Sequence, residues 1–241
     1  MATLEVCVDT VTGLRIAAAA PIARIELCGP LAVGGTTPSA GVMRIAARVP
    51  VPVYAMIRPR DGDFVFNADD EAAMIADIHA ARSAGLAGVV LGASLPDGQL
   101  DVSLLARLST QCAGLGRTLH RAFDLCPDPI AALDAAIDLG FERVLTSGHA
   151  KTAPEGAARL AELRQHAAGR ISIMAGAGVT PANVRELIDT TGVHEVHASC
   201  RSAVPLANPD LIRFGFASST MQTDRAIIDA MLDSIAEHQP G

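Results

Sequence analysis

The chain has 241 residues, of which 50% are hydrophobic and 19% charged, with a formal net charge of −7, six Phe, one Tyr and no Trp. That length buries a full core as one domain, and an acidic chain this poor in aromatic rings lacks both the phosphate-neutralising and the base-stacking groups that nucleic acid requires. No apolar stretch approaches the roughly twenty residues of a membrane span, and the strand-like LEVCV at Leu4 leaves no room for a charged leader followed by an apolar one, so a cytoplasmic location is expected.

Short β-branched runs alternate with longer Ala/Leu-rich stretches of helical period, the pattern of βαβ units on a parallel sheet. In chain order the strand candidates are LEVCV from Leu4, RIELC from Arg24, VPVYAMIRP from Val51, GVVLGAS from Gly88, RTLHRAFD from Arg117, RVLTSG from Arg143, ISIMAGAG from Ile171 and EVHASC from Glu195. Helical segments are predicted over 69–84, 102–112, 129–139, 155–166 and 181–190, with Pro129 and Pro181 in first turns where a helix tolerates proline. A last helix is predicted from Thr223 to His238, packing on the outside or on a partner subunit. Eight strands at about thirty-residue spacing fit a closed barrel better than an open sheet. The expected fold is therefore α/β, a single (β/α)8 TIM barrel over 1–241, with strands and helices to about residue 201 and a C-terminal loop and helix over 202–241.

Cys7, Cys28, Cys112, Cys126 and Cys200 are an odd set with no C-x-x-C pair, as free thiols in a reducing compartment would be. Side chains alternate faces along a strand. Leu4, Val6, Val8, Ile25 and Leu27 suit the helical layer, which turns Glu5, Cys7, Glu26 and Cys28 into the barrel. The same parity turns Thr118, His120 and Asp124 of the fifth strand and Glu195, His197 and Ser199 of the eighth inward, while Arg58 and Arg60 end the third. Barrel interiors are normally filled by Val, Ile and Leu, so this concentration of ionisable groups reads either as a site at the C-terminal mouth or as a buried ion-pair network.

IELCGPLAVGGTTPSAGV from Ile25, MIRPRDGDF from Met56, HRAFDLCPDP from His120, ERVLTSG from Glu142 and IMAGAGV from Ile173 together resemble the CutC family, the "copper homeostasis" barrels. The resemblance runs from about Leu4 to Arg201. It implies a (β/α)8 fold, a cytosolic home, self-association into a homo-oligomer and a role in copper handling, with Cu(I) held by the two cysteines that match Cys7 and Cys28. After Arg201 the family's basic segment with a Phe-Arg-Asn motif is replaced here by ANPDLIRFGF.

Soft thiolates select Cu(I), and two inward cysteines at matching heights on neighbouring strands would lie within reach of one ion. The other reading is an enzyme acting on a small anionic metabolite, phosphorylated ones included. Glu5, Glu26, Arg58 and His120 can supply a base, an electrostatic clamp and a proton shuttle, His120 titrating near neutral pH or else resting as a satisfied core histidine. The turns at Ser147 and Gly148 and at Gly176 and Gly178 offer backbone N–H groups to a phosphate or carboxylate, or simply allow a tight βα turn. Arg60, within RPRDGDF, either closes over the mouth as a further anion contact or orders a turn.

Overall fold

The computed structural model describes residues 2–236. Eight parallel strands close into a barrel in sequence order: β1 (Thr3–Val8), β2 (Arg24–Leu27), β3 (Val53–Met56), β4 (Gly88–Leu91), β5 (Gly116–Leu119), β6 (Arg143–Thr146), β7 (Ser172–Ala175) and β8 (Glu195–Ala198). The crossovers carry α1 (Val11–Ala18), α2 (Ala40–Ala46), α3 (Ala68–Ala84), α4 (Val102–Gln111), α5 (Pro129–Asp138), α6 (Ala157–Ala167) and α7 (Val184–Thr191). This is the expected TIM barrel. The first two crossover helices are the ones the periodicity did not reveal, because they span 8 and 7 residues and carry Gly13 and Gly41.

Local chemistry fixes the helix starts. Asn67 opens α3 with a capping box: its side chain accepts from the amides of Asp69 and Asp70 while the Asp70 carboxylate takes the Asn67 amide. Asp101 and Asp128 cap α4 and α5, the latter with Pro129 in its first turn. Between barrel and helices, one apolar cluster takes Leu4, Val6, Val8, Ile25 and Leu27 from the strands, as the parity argument requires.

Beyond β8 the chain forms an antiparallel hairpin, β9 (Arg201–Pro205) and β10 (Ser219–Thr223), joined through the short helix α8 (Asp210–Arg213). The expected loop at 202 is thus a hairpin. The last helix, α9 (Arg225–Ala236), packs against α7 and β1 with Ile228, Met231 and Ile235 buried. The predicted end of that helix at His238 lies outside the described residues.

Every strand but β1 ends short of the run predicted for it, and the early ends of β3 and β5 matter most for the site. β3 stops at Met56, and β5 stops at Leu119 because His120 caps a 3-10 turn over Arg121–Leu125, its Nδ1 accepting from the Ala122 amide at 3.2 Å. Asp124 therefore stands in a turn above the barrel and not on the strand.

Candidate functional site

The barrel interior is charged from its lower layer upward. Arg24 of β2 forms a buried ion pair with Glu5 of β1 and reaches Glu195 of β8 at 2.5 Å, and Arg143 of β6 meets Glu195 at 3.2 Å. Burial alone would raise the Glu5 carboxyl, but hydrogen bonds and charge from His197 and Arg24 bring it down to about 2. The charges neutralise one another pairwise, so this layer is a structural network holding the strands in register.

One layer nearer the mouth the pairing of β1 with β2 sets Cys7 opposite Glu26, and closure of β8 onto β1 sets His197 opposite Glu5. His197 Nδ1 lies 2.7 Å from Glu5, and its Nε2 lies 3.8 Å from Glu26. One ligand atom each of Cys7, Glu26 and His197 fall within 4.8 Å of one another, a mixed sulfur, oxygen and nitrogen cluster able to coordinate a metal ion. Burial works against protonation of His197, but the negative groups at Cys7 and Glu26 and the hydrogen bond to Glu5 raise it well above the ordinary imidazole value. The Glu26 carboxyl is raised chiefly by burial.

The same register corrects the matching-height argument for the two cysteines. Cys7 is level with Glu26, so Cys28 stands two residues further on, just past the end of β2. It packs in a small apolar cluster with Tyr54, Met56 and Val90, and its thiol lies 3.4 Å from Glu26 as donor. Burial, then the charge of Glu26, pushes that thiol well above its ordinary value. The identical Glu-x-Cys spacing in the two strands hid this stagger, which a tilted barrel imposes.

Above this floor opens a cavity of about 490 Å³ at the C-terminal strand ends. Cys7, Glu26 and His197 line it, with Arg58, His120, Arg121 and Arg201 among the residues around it. Arg58 is buried, and its terminal nitrogens donate to the carbonyls of Val33, Gly35 and Gly62, tying together the loops after β2 and β3. Phe64 packs against both the Arg58 guanidinium and the His120 ring, each at 4.8 Å. Gly92 is needed here, because a Cβ at that position would lie 2.5 Å from the His120 imidazole.

His120 does not titrate near neutrality. Burial, followed by the charge of Arg58, depresses it to about 3, and since Nδ1 accepts a backbone N–H, the proton of the neutral ring sits on Nε2. That nitrogen, Arg58 Nε and Arg201 Nε are buried without a hydrogen-bond partner among the described residues, as is the acceptor Glu26 Oε1.

The residues expected to bind an anion divide. Gly178 lines the cavity, beside Ala177 and in a left-handed backbone pair with it. The Gly176 amide is spent on the Thr146 carbonyl. Ser147 and Gly148 are not free either: the Asp124 carboxylate accepts from the Ser147 amide at 3.1 Å, the His149 amide at 3.3 Å and the Thr146 hydroxyl at 2.5 Å, and the Gly148 amide donates to Thr146 Oγ1. An internal carboxylate thus fills the nest after β6. Arg60 orders its own turn through Asp63, Asp70 and the Val65 carbonyl and is absent from the cavity lining. Arg121 and Arg201 were not read from the sequence. They follow the ends of β5 and β8 by two and three residues, and the turn geometry brings them to the mouth.

These features define a (β/α)8 barrel with a built polar pocket at the C-terminal strand ends, where such barrels place their sites. Comparison with known proteins gives the family: its model, the CutC family, matches residues 2–202, and the chain belongs to it. A family protein CutC from Rhizobium meliloti is 55% identical over 230 residues, covering 95% of this chain and 94% of its own. One from Caulobacter vibrioides is 55% identical over 206 residues, covering 86% and 84%. The crystal structure of a Streptococcus agalactiae CutC, provisionally named for copper homeostasis, superposes with a TM-score of 0.80 at 35% identity, covering 83% of this chain and 99% of that one. Phosphoribosylanthranilate isomerase from Thermotoga maritima, at 14% identity and a TM-score of 0.59 over 98% of this chain and 100% of that one, shares the fold.

Proposed function

We propose that this protein is an enzyme acting on a small anionic metabolite bound at the barrel mouth. The observation that carries this reading is the set of three buried, unpartnered N–H donors, Arg58 Nε, Arg201 Nε and His120 Nε2, on residues that line one cavity. An unmade buried hydrogen bond costs about 1–3 kcal/mol, more for a charged group, and a carboxylate or phosphate supplies the acceptors that such donors lack. Below it, Glu26, whose carboxyl is raised by burial, stands 3.8 Å from His197, whose imidazole is raised by the groups around it. Such a pair suits proton transfer to or from the bound compound. His120, neutral, serves as a fixed donor to developing negative charge and not as a proton shuttle.

The test is a thermal-shift screen of carboxylate and phosphate metabolites. At least one should raise the melting temperature of the wild type, with the shift lost in Arg201→Met and reduced in Arg58→Lys, while uncharged analogues have no effect. A library in which no anion stabilises the wild type would sink the reading.

Copper handling is the second reading, supported by the family and by the position of Cys7 on the cavity wall. A two-thiolate Cu(I) site requires the Cys28 thiol to lose its proton and with it the hydrogen bond to Glu26. Anaerobic Cu(I) titration of wild type against Cys28→Ser decides: binding that survives the change removes the thiolate pair as its basis. Self-association of this chain and a cytoplasmic location belong to the same proposal. Among the described residues no helix is long and apolar enough to cross a membrane.

A further inference from the structure

We infer that the barrel floor is a site for a divalent metal ion of the zinc class, ligated by Cys7, Glu26 and His197. This assignment goes beyond the anion pocket above it and differs from a copper thiolate pair in two of its three ligands.

The geometry meets each requirement of such a site. Bonds of about 2.0–2.3 Å in a tetrahedral shell separate ligand atoms by roughly 3.3–3.8 Å. His197 Nε2 already lies 3.8 Å from Glu26, and the three donor atoms lie within 4.8 Å of one another. Glu26 is 3% exposed; its Oε2, the oxygen 3.8 Å from His197, accepts only the weak Cys28 thiol donor, and its Oε1 has no partner among the described residues, so the buried carboxylate has capacity left for a cation. Glu5 holds His197 Nδ1 at 2.7 Å and is itself anchored by Arg24. A carboxylate on Nδ1 fixes the tautomer that leaves the Nε2 lone pair for the metal, the usual outer-shell arrangement for a ligating histidine.

The donor set decides the class of ion. One thiolate, one imidazole and one carboxylate suit a borderline divalent cation, whereas Cu(I) selects sulfur. Two anionic donors also balance a dication. Three protein ligands on β1, β2 and β8 leave the fourth position facing the cavity that all three line. That open position is the mark of a site able to hold a water or a substrate oxygen rather than a closed structural site.

Chelator-stripped protein should be titrated with Zn2+ against a chromophoric competitor and, in parallel, with Co2+ followed by absorption. The expected result is one ion per chain and, with Co2+, a thiolate-to-cobalt charge-transfer band with the intense ligand-field bands of four-coordination. The charge-transfer band should vanish in Cys7→Ser and persist in Cys28→Ser, and Glu5→Gln should weaken binding about 10–100-fold. Circular dichroism confirms that each variant is folded. Failure of the wild type to bind one ion stoichiometrically overturns the inference without recourse to any variant, and so does a band lost with Cys28→Ser but kept with Cys7→Ser. The anion screen reads Arg58 and Arg201, so the two proposals fail separately.

Discussion

His120 is held neutral by burial and by Arg58, at about 3 against an ordinary value near 6.5. A depressed imidazole contributes stability that is fully present above the unfolded value and is lost as pH falls, because the unfolded chain takes up a proton that the folded one refuses. Between pH 6.5 and about 3 this one group should therefore lower folding stability by up to about 1.4 kcal/mol per pH unit. Urea denaturation of wild type and His120→Gln across that range should show a shallower slope in the variant, and equal slopes would refute the assignment. Arg58 acts on the same ring and on three carbonyls. Arg58→Met should cost about 1–3 kcal/mol in the same denaturation experiment, by stranding the carbonyls of Val33, Gly35 and Gly62. Parity along a strand was enough to turn Glu5, Glu26, Cys7 and His197 inward. It could not show that His120 is the cap of a turn, because the cap depends on where β5 ends, and the strand-like run RTLHRAFD gave no sign of that.

At the scale of an element, the turn after β6 shows why a glycine-bearing loop is weak testimony for anion binding. Asp124, five residues beyond the end of β5, accepts the amides of Ser147 and His149, and the Gly148 amide between them donates to Thr146 Oγ1. Removing that carboxylate breaks a partly buried network that includes the half-exposed Arg121, paired to it at 2.8 Å. Asp124→Ala should lose about 1–3 kcal/mol through the backbone and hydroxyl donors it strands, and sulfate should restore part of it beyond what chloride of equal ionic strength does, since the emptied nest then accepts an exogenous anion. Absence of a sulfate-specific gain would show that the nest collapses without its carboxylate. The register of β1 on β2 carries the parallel lesson. The repeated Glu-x-Cys pattern suggested two thiols at one height, and the shear of a closed barrel places a thiol beside a carboxylate.

For the whole molecule, the eight strands were legible because β-branched runs and helical stretches alternate so regularly. Their closure supplied what the order could not: β8 joins β1, and His197 meets Glu5 and Cys7 across 190 or more residues of chain. The segment beyond Arg201 forms an outlying hairpin whose surroundings expose Ile212, Phe214, Phe216 and Met221, and exposed apolar clusters of this kind mark association surfaces. If the expected homo-oligomer forms there, sedimentation equilibrium should find a multimer for wild type and a monomer for the Phe214→Ser, Phe216→Ser double variant; a monomeric wild type would remove self-association from the account. Turnover of a small anion in the pocket is tested most directly by a mass-spectrometric screen of carboxylate and phosphate metabolites with wild type and Glu26→Gln side by side. Conversion of at least one compound by the wild type, reduced at least about a hundredfold in the variant, is the predicted result; no conversion of any anion, or equal conversion by both proteins, would contradict it.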